Sequence, residues 1–405
     1  MYELTLVIQV ILFSTFAWAA CTILRGMGRR RIEKSAAGDP SRFAIIVCAH
    51  NEAQVVGKLL QSLENQRYDR NLFHVFLVAD HCSDQTAAIG GRFPKVTVWR
   101  RNEGPRTGKG AVLRWGISRL VAQYGNQFSH LIIFDADNVA SPDFLTAMNK
   151  SFRQGEKLVM GNRRPLNPYD TLLTRWYSLY WICVDVFLCQ PNANLGRPAI
   201  ISGTGFGFSL DLLDNGLWPT QTMVEDMEFS MQQNFKGVFA TYQEKALFYD
   251  EQPENLSNLV RQFRRWFTGH FQIARIYWRP WVRHFFHTPD ARLIDNFVPT
   301  LLCVMFGFYL LISAGWVLYN AVSGQALFEL KDILWWGMLY LLSLCIASWA
   351  TQLGRLSFRK MWPGIITGGL YCILLSLIAV YSLFFPQRQW VPIAHTYNGL
   401  PDNLK

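Results

Sequence analysis

Residues 130–138 read HLIIFDADN, a run of apolar and β-branched residues that stops abruptly in two carboxylates and an amide. The same design recurs as FAIIVCAHNE at 43–52 and HVFLVADHCSD at 74–84, and a fourth short run, KVTVW, occupies 95–99. Strands buried on both faces have this character. Between them the apolar residues change period: Val55, Leu59, Leu60 and Leu63 share one helical face, as do Ala111, Leu113, Ile117 and Leu120. Strands alternating with helices predict an α/β domain over residues 40–270, a mostly parallel sheet flanked by helices. The ligand crevice of such a sheet lies beyond the carboxyl ends of its strands. Asn51 and Glu52, Asp80 with Ser83 and Asp84, and Asp135 with Asp137 all fall at such ends.

A single carboxylate after a strand is also an ordinary turn former or helix cap. Asp135 and Asp137, two positions apart, offer hard oxygen ligands for Mg²⁺ or Mn²⁺ beside a diphosphate. Asp137-Asn138 ahead of Ser141-Pro142 equally reads as a turn. Lys109, in NEGPRTGKG at 102–110, either meets phosphates as a point charge or stands in an exposed turn. The spacing from Gly104 to Lys109 matches a P-loop, but Gly110 replaces the hydroxyl residue that would hold Mg²⁺, which argues against an ATPase of that type. Gly203-Thr204-Gly205 suits the close approach of an acceptor, and a tight turn just as well.

Outside this domain the composition changes. Half of the 405 residues are hydrophobic and 17% are charged, too apolar for an ordinary soluble enzyme and too charged for a wholly embedded one. Residues 4–24 carry no charge and are followed by Arg25, Arg29, Arg30 and Arg31. A cleaved signal peptide has the opposite order, so residues 1–30 are expected to anchor the chain with the following residues cytoplasmic. Uncharged runs at 296–328, 333–354 and 361–387 predict membrane helices over 293–390. Three crossings would leave the C-terminus on the far side, and Gly368-Gly369 gives the last run a place to break. Segments near 172–190 and 262–288 mix Trp, Tyr and Arg as helices lying on a membrane do; a buried core helix is the rival reading of the first. The net charge of +10 fits a cytoplasmic membrane face and an anionic substrate. No nucleic-acid motif accompanies it, and nucleic acid is not expected as a partner. Eight Cys without a CxxC pair predict free thiols in a reducing compartment.

Five segments in order, CAHNE (48–52), VADHCSDQT (78–86), FDADN (134–138), VED (224–226) and QFRRW (262–266), resemble the signatures of the family 2 glycosyltransferases with a GT-A fold. The last matches in full the QxxRW of the membrane-integrated branch, which includes cellulose, chitin, hyaluronan and poly-N-acetylglucosamine synthases. The resemblance covers roughly residues 40–280 and implies roles. Asp80, with Asn51 and Glu52, would meet the uridine end of a UDP-sugar. Asp135 and Asp137 would face the diphosphate, Asp137 as the direct ligand of Mg²⁺ or Mn²⁺. Asp226, next to Glu225, would be the general base of an inverting transfer, giving a β-glycoside from an α-linked donor. Arg265 would add a cation at the leaving diphosphate, and Gln262 and Trp266 would border the acceptor. Read without the resemblance, Glu225-Asp226 is an acidic first turn of a helix, and QFRRW is a basic interfacial anchor.

The resemblance therefore implies a membrane enzyme that extends a growing β-linked polysaccharide from a UDP-sugar, with UDP-N-acetylglucosamine as the first guess, and exports it through its own helices. The alternative is transfer of a single sugar to a lipid, as in ceramide glucosyltransferases. Membrane lipids and an accessory export or assembly subunit complete the expected partners. A transporter or receptor is disfavoured because the apolar runs hold almost no charge. No counterpart of the cellulose synthase gating segment or cyclic-dinucleotide module is found. Asp250-Glu251-Gln252-Pro253, Trp390 and His395 resemble bacterial members of the branch without fixing the sugar.

Overall fold

The computed structural model describes residues 2–29, 35–287, 290–295, 297–389, 391, 395, 397, 399 and 400; Arg30, Arg31 and Trp390 lie outside the described residues. Helix α1 (Tyr2–Met27) precedes strand β1 (Phe43–Ala49), α2 (Val56–Glu64), β2 (Phe73–Asp80), the short α3 (Thr86–Gly90), β3 (Val96–Arg101), α4 (Lys109–Tyr124) and β4 (His130–Asp135). These four strands are parallel in the order β3-β2-β1-β4, with Cys48 level with Val78 on one side and Asp135 on the other. One register thus delivers His50, Asp80 and Asp135 to the same sheet edge. The predicted helical faces pack there: Val56, Leu59, Leu60 and Leu63 of α2 and Leu113, Ile117 and Leu120 of α4 are buried in one core with β1, β2 and β4. Burying each such side chain contributes about 1.5–3 kcal/mol.

The second half departs from the parallel pattern. It contains β5 (Val139–Ala140), α5 (Phe144–Arg153), β6 (Leu158–Pro165), α6 (Leu172–Cys183), α7 (Gln190–Asn194), β7 (Phe206–Ser209), α8 (Glu225–Phe235) and β8 (Thr241–Asp250). β7 runs antiparallel to both β4 and β6, β8 is parallel to β6, and β5 closes the edge antiparallel to β8. The expectation of a mostly parallel sheet describes the first four strands, and the whole sheet is mixed. Glycines make the crossover: a Cβ at Gly161 would lie 2.7 Å from the Gly205 carbonyl oxygen, and one at Gly207 would lie 3.0 Å from Ile132. Phe134, Phe144, Phe206, Phe208, Trp218, Phe229 and Phe248 fill the core beneath.

Helix α9 (Leu256–His287) carries QFRRW and leads to α10 (Val298–Val322), α11 (Leu330–Leu353) and α12 (Phe358–Phe384). Among the described residues five helical segments are long and apolar enough to cross a membrane: Val7–Met27, Leu172–Asn194, Val298–Val322, Leu330–Leu353 and Phe358–Phe384. They are not alike. α6 is mostly buried, its Leu179 and Ile182 packing with Ala347 and Ala350 of α11 and with Met361 and Ile365 of α12. α12 exposes an apolar stripe, Phe358, Trp362, Ile366, Leu370, Leu377 and Tyr381, and buries the opposite face. Both its ends are tied to the catalytic part of the chain. Ser357 N donates to Tyr169 Oη at 3.0 Å and Arg175 Nε to the Lys360 carbonyl at 2.8 Å; beyond the other end, Arg264 donates to the Phe385 carbonyl at 2.9 Å and Gln387 N to Thr268 Oγ1 at 3.0 Å. All eight cysteines are free; Cys21, Cys345 and Cys372 are exposed on apolar helices rather than buried.

Candidate active site

Two adjoining cavities lie at the carboxyl edge of β1, β2 and β4. The first, about 190 Å³, is bordered by His50, Glu52 and Asp80 from the ends of β1 and β2 and by Asp135 and Asp137 after β4. The second, about 150 Å³, is bordered by Gly203, Glu225, Asp226 and Trp266. Lys109, Asp135, Arg163, Gln262 and Arg265 line both.

Lys109 forms the seam. As first residue of α4 its Nζ lies 2.5 Å from Asp135 Oδ1 and 2.7 Å from the Gly203 carbonyl oxygen. Burial alone would lower its pKa, but Asp135 and the nearby Glu225 outweigh that and raise it, so the ammonium is held charged. Asp135 is fixed through its backbone, whose N–H donates to Thr204 Oγ1 at 2.9 Å. Asp137 is buried beside Asn138 and faces His395, whose Nε2 lies 3.8 Å from its carboxylate while His395 Nδ1 lies 3.2 Å from Glu52. Burial first, then Asp135, Asp250 and Glu52, push Asp137 up to about 7 against the opposing pull of His395, which, against its own burial, Asp137, Glu52 and Glu251 raise to about 10. Crowded, dehydrated carboxylates of this kind are the hard donor set that Mg²⁺ or Mn²⁺ prefers. Among the described residues no group of three or more His, Cys, Asp or Glu side chains is arranged to hold an ion by itself. Asp135 and Asp137 would supply two carboxylates to such a cation and leave its other positions to oxygens of a bound substrate.

Asp226 opens α8 opposite Gly203, where a Cβ added to the glycine would lie 3.6 Å from Asp226 Oδ2. Gly203 adopts φ of 81°, so lack of a side chain serves both the turn and the space before the carboxylate. Burial raises the pKa of Asp226, opposed by the Met227 backbone, Lys109 and Arg265; burial and Asp226 push Glu225 up to about 7. Glu228, one turn on, is buried and accepts from the Gln221 and Thr222 backbone at 2.9 and 2.7 Å and from Tyr277 Oη at 2.8 Å. It ties the loop before Glu225 to α9. Gln262 accepts from Tyr177 Oη at 2.7 Å, Arg265 donates to the Met223 carbonyl at 3.3 Å, and the Trp266 ring packs edge-on against Trp181, centroids 5.5 Å apart.

A family model described as glycosyltransferase-like family 2 matches residues 40–269, more than half of the chain. The chain belongs to this family. The glycosyltransferase is 24% identical over 71% of its length to the probable glycosyltransferase YdaM of Bacillus subtilis, covering 67% of that protein. It is 24% identical over 62% of its length to the beta-monoglucosyldiacylglycerol synthase of Trichormus variabilis, and 25% identical over 58% to the poly-beta-1,6-N-acetyl-D-glucosamine synthase of Staphylococcus epidermidis. The match spans about half of each of these two, 53% and 56%. Its fold is that of the mannosyltransferase PcManGT from Pyrobaculum calidifontis, solved with GDP-Man and Mn²⁺, with a TM-score of 0.61, 17% identity and coverage of 89% of this chain and 98% of that one.

The glycosyltransferase brings most of the singled-out residues to the two cavities: Glu52, Asp80, Lys109, Asp135, Asp137, Gly203, Thr204, Glu225, Asp226, Gln262, Arg265 and Trp266 line one or both. Asn51 and Asp84 stand outside. Asn51, at φ of 56°, accepts from Ser83 N at 2.8 Å, and Asp84 accepts from Ala53 N at 2.9 Å and Thr86 Oγ1 at 2.6 Å, so both shape the loops that carry Glu52 and Asp80. Asp80 itself is buried against Arg101 and His81, both through Oδ1. Sequence reasoning missed Arg163, which forms a buried ion pair with Asp250, lies 3.8 Å over the Trp181 ring and lines both cavities. The one available signal was an Arg within β6, where an unpaired charge would not be tolerated.

Proposed function

We propose that this glycosyltransferase binds a nucleoside-diphosphate sugar, with UDP-N-acetylglucosamine as first candidate, in the cavity of Asp80 and Asp137 and transfers its sugar with inversion to a hydroxyl held at Asp226. The observation that supports it is the adjacency of the two cavities across a shared wall of Lys109, Arg163 and Arg265. A diphosphate lying along that wall meets three cations, and its sugar points at Asp226. Asp226 takes the acceptor proton as the hydroxyl attacks the anomeric carbon from the side opposite the diphosphate. Gly203, which leaves room before the carboxylate, serves that step. Lys109 and Arg265 offset charge on the departing diphosphate. A divalent cation held by Asp137 and Asp135 would supply Lewis-acid stabilisation there. Two relatives, one named as a glycolipid synthase and one as a polysaccharide synthase, frame the choice of acceptor.

The catalytic face is taken as cytoplasmic. With His395 at Glu52 and both ends of α12 bonded to the catalytic part, α10 leaves that side, α11 returns, and α12 lies along the membrane face instead of crossing it. The C-terminal segment then sits on the same side as the active site, and the parity problem of three crossings disappears.

Asp226→Asn keeps the shape and removes the base. It should fold, bind nucleotide as the parent does, and lose about 10²–10⁴-fold in turnover; turnover within a few-fold of the parent would take Asp226 out of this role.

A further inference from the structure

Next to the Asp226 cavity lies a third one that the transfer chemistry leaves unused. It has a volume of about 340 Å³ and is walled by Ile273, Ala274 and Trp278 of α9, Leu301 and Val304 of α10, and Leu383 at the end of α12. Its polar lining is confined to one end and one edge. His270 and Thr300 border both this cavity and that of Asp226, so the two adjoin across these side chains. Tyr277 contributes only its ring, because its hydroxyl is turned away to Glu228 at 2.8 Å and to Gln232 at 2.7 Å. His270 uses Nδ1 for the Trp266 carbonyl at 2.9 Å, which makes Nδ1 the protonated nitrogen and leaves Nε2 as an acceptor. The mouth opens between Trp278 and Leu301, which are 55% and 47% exposed, at the start of an apolar helix long enough to cross a bilayer. Trp278 and Trp281 are of the kind that settles at the level of lipid headgroups.

An occupant reaching across His270 and Thr300 from one cavity to the other must be polar where it meets Asp226 and apolar beyond them. A glycan is studded with hydroxyls along its whole length, and in the third cavity those would be left without partners against Ile273, Leu301 and Val304. A hydrocarbon chain loses nothing there and gains by leaving water. We propose that the acceptor is a hydroxyl-headed membrane lipid, its chain lodged between α9, α10 and α12 and its hydroxyl at Asp226. The inference rests on Asp226 being the base of the transfer. In the reaction the bond between the anomeric carbon and the diphosphate oxygen breaks, a bond from the same carbon to the lipid oxygen forms, the lipid proton passes to Asp226, and the nucleoside diphosphate leaves.

The test uses the full chain in lipid nanodiscs with a panel of UDP-sugars, and two acceptor pairs that differ only in chain length: hexyl and dodecyl β-D-glucoside, and dihexanoyl- and dipalmitoylglycerol. For at least one pair the longer member should show a KM at least tenfold lower. Partition into the bilayer alone would also favour the longer chain, so the deciding readout is Ala274→Trp, which closes the mouth. That variant should collapse the ratio of the two KM values to within about threefold, a change that partition cannot produce. Independently of how the variant folds, a dodecyl glucoside bearing a diazirine at its chain end should label the parent protein on residues 271–281 and 300–304, and excess unlabelled dodecyl glucoside should suppress it. A ratio unaffected by Ala274→Trp, labelling spread over the outer faces of α10 and α11, or transfer confined to water-soluble oligosaccharides would overturn the lipid acceptor. Absence of nucleotide release from every donor would overturn the transferase reading itself.

Discussion

Asp226 and Glu225 are neighbours on one helix turn, and burial makes each reluctant to ionise. Glu225 is pushed up to about 7, above its ordinary value near 4.5, and Asp226 moves in the same direction. A base must be ionised to take a proton, and a raised pKa keeps it protonated to higher pH. Activity should therefore fall on the acid side at a pH above the range in which an ordinary aspartate titrates, and plateau above that. Burial raises Asp226, whereas burial and the Asp226 charge raise Glu225, so Glu225 ionises after Asp226 and Glu225→Gln should leave the acid limb where it is; a limb displaced to lower pH would show that Glu225 is charged while Asp226 titrates. Asp80, Asp135 and Asp137 were legible as residues because each interrupts an apolar pattern at a strand end, and Glu225 and Asp226 because they match the VED signature. Arg163 was not, and Asp250 and His395 were singled out without a partner or a role. Their meaning lies in pairings across 87 residues, for Arg163 with Asp250, and 343, for His395 with Glu52, which no local pattern encodes.

At the scale of elements, α9 does more than anchor. Gly269 lets it ride against the residue before the catalytic pair, since a Cβ there would lie 2.6 Å from a Val224 methyl. Val224, Met227, Met231 and Ile273 form a small cluster that clamps α8 to α9. Gly269→Ala should cost about 1–3 kcal/mol of stability through overpacking and, by displacing Asp226, lower kcat while leaving nucleotide binding near that of the parent. Unchanged kcat with unchanged melting temperature would mean the helices can separate without moving the base. The first four strands were readable because each is apolar, short and followed by a helix in a new period. β6, β7 and β8 were not, since LVMGNRRP and FGFS carry glycine and arginine where a strand pattern would place apolar residues. Those glycines exist for close backbone approach and the arginine for Asp250, both tertiary requirements that override local propensity.

Across the whole molecule, the fold sets the reaction against the membrane. α1 and α10 pair through Gln9 and Tyr309, 3.1 Å apart, and Gly26 at the end of α1 touches Pro191 beside the catalytic part. The apolar runs foretold these helices by composition, but not that α12 would lie along the catalytic part, because crossing and lying helices of that length share the same hydropathy. A reporter fused after the last residue should read as cytoplasmic, and a cysteine placed at Gly324, in the exposed turn between α10 and α11, should react with an impermeant thiol reagent from outside; the reverse pattern would invert the assigned topology. The central claim is inverting sugar transfer at Asp226 from a donor held by Asp135 and Asp137. It is tested most directly by incubating the purified chain in nanodiscs with α-linked UDP- and GDP-sugars and following the anomeric proton of the product by NMR, with Mn²⁺ and with EDTA. The account predicts that one donor is consumed, that the product is β-linked, and that EDTA stops the reaction. A product that keeps the α configuration, or turnover undiminished by EDTA, would contradict it.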